Sequence, residues 1–215
     1  MDIASEIRAF SPGCEQEQKD KAQMLSWLNT SPDPFSRENT FAHFTASSWV
    51  VSPDREQILL IYHNIYRSWA WMGGHADGDR DLLAVALRET REELGIPESA
   101  VTVIGEMDFI HIRAGSLLRP VLGEVDPAAL AAMHPAPEEV AGTFLLPLRE
   151  LKAHPPEVYL YRQPVEAPDF PYADAGVPAD YPWRPWRLEV PVYHGLPYHL
   201  WGITARITMD LLAHL

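Results

Sequence analysis

The 215-residue chain has one cysteine, Cys14. A single thiol cannot close an internal disulfide, so the expectation is a protein of a reducing compartment, the cytoplasm. No apolar run approaches the roughly 18–20 residues that a membrane span needs. The opening Met1-Asp2-Ile3-Ala4-Ser5-Glu6-Ile7 lacks the basic-then-apolar order of a secretory leader. Basic residues are scarce as well: 17 Lys and Arg against 30 Asp and Glu leave a formal net charge of −13. Without a basic footprint, nonspecific binding to nucleic acid or to an anionic membrane is disfavoured. An anionic small molecule is not excluded, because a divalent cation and one or two arginines reverse the field locally. Internal repeats and low-complexity tracts are lacking too.

What is present is globular: 47% of the residues are hydrophobic. The length suits one domain with additions. Residues 1–38 read as a helical extension, in which Glu15 to Leu28 forms an amphipathic helix for packing or homodimerisation, stopped by Asn29-Thr30-Ser31-Pro32-Asp33-Pro34. Residues 39–153 read as the core. Phe41–Val51 and Ile58–Tyr66 are strand-like around a polar turn, as are Val101–Glu106 and Phe109–Ile112. Leu117–Leu122 is a strand broken by Pro120, which puts it at an edge or a strand end. Asp126–Met133 reads as a short helix. Residues 154–215 begin proline-rich, extended and irregular up to residue 191, and close with a helix that places Leu200, Ile203, Ile207 and Leu211 on one face.

The organising stretch is Gly73-Gly74-His75-Ala76-Asp77-Gly78-Asp79-Arg80-Asp81 followed by Leu82 to Leu94 and Gly95-Ile96. It reads as a glycine turn, a polar loop, a helix capped by Asp81, and a left-handed stop at Gly95. At about 100° per residue, Leu82, Val85, Ala86, Glu89 and Glu93 share a stripe with Glu92 at its edge, while Arg88 and Arg91 point away. A solvated helix pairs its acids with lysines four residues on, and this helix has no lysine. Clustered carboxylates repel unless a cation sits among them, and hard oxygen ligands suit Mg²⁺ or Mn²⁺. The alternative is an acidic helix end with Arg88 and Arg91 as counter-charges. Before this stretch, Trp69-Ala70-Trp71-Met72 alternates like a short strand. Its tryptophans serve either as a wall that stacks a nucleobase or as core. His63 and His75 flank this segment, and His75 either reaches a phosphate or bonds its own loop.

This stretch resembles the Nudix box, Gly-x5-Glu-x7-Arg-Glu-U-x-Glu-Glu-x-Gly-U, with U a bulky aliphatic residue. Gly74, Arg88, Glu89, Glu92, Glu93, Gly95 and Ile96 stand at matching positions. Arg80 stands where the family has glutamate, and Thr90 at the aliphatic position. The resemblance implies an α+β Nudix fold: a mixed β-sheet packed between helices as an α/β/α sandwich, here with the N-terminal extension and an aromatic, proline-rich C-terminal segment ending in a helix. The segment Glu139-Val140 through Phe144 to Pro147-Leu148 resembles the one after the box in many members. There Glu139 would be a further metal ligand or the general base. The closing Pro197-Tyr198-His199-Leu200-Trp201-Gly202-Ile203-Thr204-Ala205-Arg206 is similar to that of coenzyme A diphosphatase-type members. The approach to the box, through Trp71-Met72-Gly73-Gly74-His75, is similar to generic Nudix hydrolases instead.

The implied activity is hydrolysis of a phosphoanhydride in a nucleoside diphosphate linked to another moiety, of the coenzyme A or ADP-ribose type. Such chemistry calls for divalent cations that bridge the phosphates and acidify a bound water. Glu89 and Glu93 are the first-choice ligands, with Glu92 a ligand or the base and the Gly74 carbonyl an additional ligand by resemblance. Arg88 would fix the carboxylates, and Glu139 is the alternative base. Arg80, His75, Trp69 and Trp71 are candidates for substrate contact, and Asp77 or Asp79 for the carboxylate missing at Arg80. The competing class is a Nudix module that senses a nucleotide without cleaving it.

Overall fold

The computed structural model describes residues 3–30, 32–112 and 115–214. Ser31 in the expected stop after the extension, and Met1 and Asp2 of the N-terminal reading, lie outside the described residues. Two compact units form, one up to Arg149 and one from Glu150.

The first unit starts with α1 (Ile3–Ala9) and α2 (Glu15–Trp27), followed by β1 (His43–Val51), β2 (Gln57–His63), β3 (Ser68–Ala70) and β4 (Met72–His75). Then come α3 (Leu82–Leu94), β5 (Val101–Glu106), β6 (Ile110–Ile112), β7 (Ser116–Val125), α4 (Pro127–Ala131) and β8 (Val140–Pro147). Helix α5 (Leu148–Ala153) crosses the boundary, and the second unit holds β9 (Glu157–Gln163), β10 (Trp186–Tyr193), β11 (Leu200–Trp201) and α6 (Gly202–His214). The expected α+β class is what the structure has: a mixed sheet with helices, a helical N-terminal extension and a closing helix. No described helix is long and apolar enough to cross a membrane.

The large sheet runs β3-β2-β1-β7-β5, with β4 on β1, β6 on β7 and β8 on β2. β1 and β7 are parallel, and every other pairing in this sheet is antiparallel. An interior strand buries both faces and so reads as a nearly continuous apolar run, as β2 does from Ile58 to Ile61; β1 is buried from Ala46 to Val51 although Ser47 and Ser48 interrupt its apolar residues. Helix α3 lies over one face. Leu82, Val85 and Ala86 pack with Phe44, Ala46 and Leu117, and Leu94 packs with Val50, Leu59, Ile61 and Met72. Ile3 and Ile7 of α1 join the first of these clusters, with Met24, Leu25, Trp27 and Leu28 packed against it. The extension is also fastened through a buried cation: Arg119 on β7 pairs with Glu6 and Glu106 and lies 4.4 Å over the Phe109 ring.

Two expectations need correction. Pro120 neither breaks β7 nor puts it at an edge, because β7 runs unbroken from Ser116 to Val125 between β1 and β5. A strand residue directs its N–H and C=O to the same side. The Pro120 carbonyl accepts from Met107, in the gap where β5 has ended and β6 has not begun. The donor that proline lacks is therefore directed at a break in the ladder. The stretch from 154 to 191 is also not wholly irregular: Glu157–Gln163 and Trp186–Tyr193 pair as antiparallel strands of a three-stranded sheet. Their β-branched and aromatic residues (Val158, Tyr159, Tyr161, Trp186, Val190) override the prolines, which cluster in the connection between them.

Candidate active site

The site is assembled at the two ends of α3. At the N-terminal end the Asp81 side chain accepts from Ala84 N at 3.0 Å, and at the C-terminal end Gly95 adopts φ 68°, both as the sequence implies. Thr90, at the position where an aliphatic residue is usual, is fully buried; its hydroxyl donates to the Ala86 carbonyl at 3.0 Å and so leaves no unpaired polar group. The carbonyls at the end of α3 are taken up by the following loop: Leu94 O accepts from His134 N at 2.7 Å, and Glu93 O from Ala136 N at 2.8 Å. That loop is thereby fastened to the helix end, and Glu139 follows from it.

The glutamates differ sharply in environment. Glu93 is 1% exposed. Its Oε1 accepts from Gly73 N at 2.8 Å, while its Oε2 is buried with no hydrogen-bond partner among the described residues. Burial pushes its pKa up to about 8, with Glu89 and Glu139 adding to the rise and the Gly73 N–H opposing it. Glu89 is half-buried and its pKa is also raised, by burial first, with Arg88 pulling the other way. Glu92 is exposed and accepts from Arg91 Nη2 at 2.9 Å, and Arg91 also holds Glu98 at 3.0 Å.

Arg88 does not point away as a helical wheel places it. Its long side chain folds back, donating from Nη2 to the His75 carbonyl at 3.0 Å and to Glu89 Oε1 at 2.9 Å. It thus joins the box loop to the helix. Gly74 lies against Glu89 so closely that a Cβ there would stand 2.5 Å from Glu89 Cδ. A Cβ on Gly73 would stand 2.7 Å from the Ala46 carbonyl oxygen.

A second cluster lies under the C-terminal end of α3. A ring nitrogen of His63 and one carboxylate oxygen each of Glu93 and Glu139 lie within 4.8 Å of one another. An unpartnered buried carboxylate oxygen, a raised pKa and a neighbouring carboxylate together fit a divalent cation, whose charge would relieve all three conditions. Glu93 and Glu139 thus come together, and Glu89 lies near enough for its charge to raise Glu93 and for that of Glu139 to raise its own pKa.

The remaining sequence candidates have partners of their own. Arg80 pairs with Asp33 at 2.7 Å and lies 4.6 Å over the Phe35 ring. Asp77 is held by Arg37 through both carboxylate oxygens, and Gly78 N donates to the Phe35 carbonyl at 2.7 Å. The turn from Asp33 to Arg37 is thus strapped to the box loop, which accounts for an arginine at position 80. Asp79 Oδ1 accepts from Asp81 N at 2.9 Å. The His75 ring lies 5.0 Å from that of His43, with Nδ1 buried and unpartnered among the described residues; burial and the nearby Arg37 lower its pKa. Trp69 meets Tyr62 and Phe144 edge-on, and Trp71 stacks with Trp49 at 6.0 Å. Sequence reasoning missed Arg37, which stands 40 residues before its partner with no spacing signal to link them. Arg80→Glu should lower stability by up to ~1 kcal/mol by setting like charges against Asp33, and Asp33→Arg in the same chain should restore it, as thermal melts would show.

The family model of the NUDIX domain matches residues 42–166, and the chain belongs to that family. An uncharacterized Nudix hydrolase, NudL, of Citrobacter koseri is 37% identical over 147 residues, covering 66% of this chain and 64% of that protein. The human mitochondrial coenzyme A diphosphatase NUDT8 is 32% identical over 145 residues, 66% of this chain and 54% of its own. The NudL of Photorhabdus laumondii matches over a shorter span, 39% identical across 82 residues and 43% of its length. The chain therefore spans between 43% and 64% of these relatives. A solved Ap4A hydrolase complex from C. elegans covers 51% of this chain at 19% identity and a TM-score of 0.43, too low to carry weight.

Proposed function

We propose that this protein is a divalent-metal-dependent hydrolase that cleaves the phosphoanhydride of a nucleoside diphosphate linked to another moiety. The observation that carries this reading is Glu93. A carboxylate buried to 1% exposure, fixed through one oxygen and unpartnered through the other, is costly unless a cation completes it. Glu89, Glu93 and the Gly74 carbonyl hold Mg²⁺ or Mn²⁺ in this reading, with Glu139 beside them. Bound there, the cation neutralises phosphate charge and lowers the pKa of a water. Arg88 keeps Glu89 in its rotamer and the His75 carbonyl in place. Glu92, held at the solvent side by Arg91, accepts the proton of the attacking water. In this reading His75 contacts a phosphate, and Trp69 and Trp71 contact a nucleobase.

Coenzyme A is the first substrate to try. The closing Trp201-Gly202-Ile203-Thr204-Ala205 resembles the coenzyme A diphosphatase type, and the human relative bears that name. A panel of coenzyme A, ADP-ribose, sugar nucleotides and nucleoside triphosphates tests the reading in Mg²⁺ and in Mn²⁺. Wild type should release a monophosphate product from at least one of them, and Glu92→Gln should lower kcat by about 10²–10⁴-fold, the range for losing a general base. Binding with no turnover on any substrate would replace the enzyme by a sensing module.

A further inference from the structure

Strand β2 ends on His63, a residue the proposed reaction leaves without a task. Its ring shares a cluster with two carboxylates, one ring nitrogen lying within 4.8 Å of an oxygen of Glu93 and of Glu139. Such a histidine invites assignment as a nitrogen ligand, but its hydrogen bonding assigns it differently. The backbone N–H of Ile65 donates to His63 Nδ1 at 3.2 Å, so Nδ1 presents its lone pair and the neutral ring carries its proton on Nε2. A protonated nitrogen does not ligate a cation. It donates.

The neighbouring carboxylates differ in what they need. Glu93 already has the Gly73 N–H on Oε1, which leaves Oε2 for the cation. Glu139 is partly exposed, and among the described residues it is fastened through its backbone: its carbonyl accepts from Asn64 N at 2.7 Å, and its N–H donates to Ala136 O at 3.1 Å. The fastening comes from the residue after His63. Between Tyr62 and His63 the register of β2 on β8 slips, from Tyr62 opposite Gly142 to His63 opposite Val140. A bulge of this kind re-aims side chains, and this one falls where His63 and Glu139 meet.

We propose that His63 is a positioning residue: its Nε2–H donates to the Glu139 carboxylate and holds it beside buried Glu93, and the ring is not itself a metal ligand. The inference rests on the metal-site reading of Glu93 above. Carboxylates that ligate a metal are commonly held by such donors, and removing the donor weakens metal affinity by about 10–100-fold.

The test is Mn²⁺ binding to the full chain without substrate, followed by electron paramagnetic resonance. In wild type the electron spin echo should show no directly coordinated ¹⁴N from His63. His63→Leu should weaken Mn²⁺ about 10-fold, whereas His63→Gln, which keeps an N–H donor of similar reach, should stay within about 3-fold of wild type. In a Glu139→Gln background His63→Leu should add less than about 2-fold, because the donor acts through Glu139. A ¹⁴N coupling present in wild type and lost in His63→Leu would make the ring a ligand and overturn the proposal, and this comparison survives a leucine variant that folds poorly if His63→Gln replaces it. Equal losses in both backgrounds, or unchanged affinity in His63→Leu, would overturn it as well. Mn²⁺ binding with no hydrolysis of any substrate would sink the hydrolase reading and leave the positioning role standing. No Mn²⁺ binding by wild type would sink both.

Discussion

Metal-free Glu93→Gln protein is expected to be more stable than wild type above neutral pH, and inactive. Burial pushes Glu93 up to about 8, from an ordinary value of 4.5. A carboxyl whose folded pKa lies above its unfolded value keeps its proton in the folded state after the unfolded chain has lost it. Between pH 4.5 and 8 the folded state therefore binds more protons, and stability falls as pH rises through that window. The full penalty is present above pH 8, where the folded protein holds a buried charge. Glutamine removes it. The gain at pH 8 should be roughly 2–4 kcal/mol, or about 5–10 °C in Tm for a chain of this size. Near pH 4.5 the two proteins should melt together. Millimolar Mg²⁺ or Mn²⁺ should reverse the order, stabilising wild type and releasing protons on binding, while leaving Glu93→Gln unmoved. A stability difference between the two proteins that does not vary with pH would remove the buried carboxylate from the account. The variant should lose at least about 10³-fold in kcat if Glu93 carries the cation.

How much of this centre was legible in the sequence depends on the range of the interaction. Asp81 and Gly95 are local signals: a side chain that accepts from a backbone N–H three residues on, and a residue that tolerates positive φ. Both could be read from the residue types, as could the stripe that buries Leu82, Val85, Ala86 and Glu93. The wheel failed for Arg88 because it tracks the Cα–Cβ direction. A side chain of this length can turn back over the helix to a carbonyl 13 positions earlier. Arg80 departs from the family's glutamate, and only the fold shows that Asp33 and Phe35 lie in wait for it. The pairing of His63 with Glu93 and Glu139 depends on a bulge in β8 and a loop bound to a helix end. No periodicity records either. Pro120 taught the opposite lesson: a reliable local rule, that proline avoids interior strands, yields where the neighbouring ladder is already interrupted.

The largest contrast should come from one substitution made at two adjacent positions. Gly74→Ala sets a Cβ 2.5 Å from Glu89 Cδ and 2.7 Å from its Oε1. Those atoms end a flexible side chain, so the fold can keep its strand pairing by moving the carboxylate aside. The carboxylate is what the reaction needs in place, held by Arg88 at 2.9 Å. Gly74→Ala should therefore fold with a Tm within a few degrees of wild type and lose about 10²-fold or more in kcat, the scale of a 1 Å misplacement at a reacting centre. Gly73→Ala meets a different neighbour: the Ala46 carbonyl oxygen at 2.7 Å and the Ser47 Cα at 2.9 Å. Both belong to the backbone of β1, which cannot yield without parting from β4 along the register of Ala46 with Gly74 and Ser47 with Gly73. The substitution should cost about 1–3 kcal/mol of stability, as overpacking does. It should also pull the Gly73 N–H off Glu93 and weaken Mn²⁺ binding at the same time. Melting curves and kcat for the two variants separate the effects: one loses activity at nearly constant stability, the other loses both. Equal Tm losses in the two would mean that Glu89 is as rigidly held as the sheet, and that the carboxylate has no freedom to move aside.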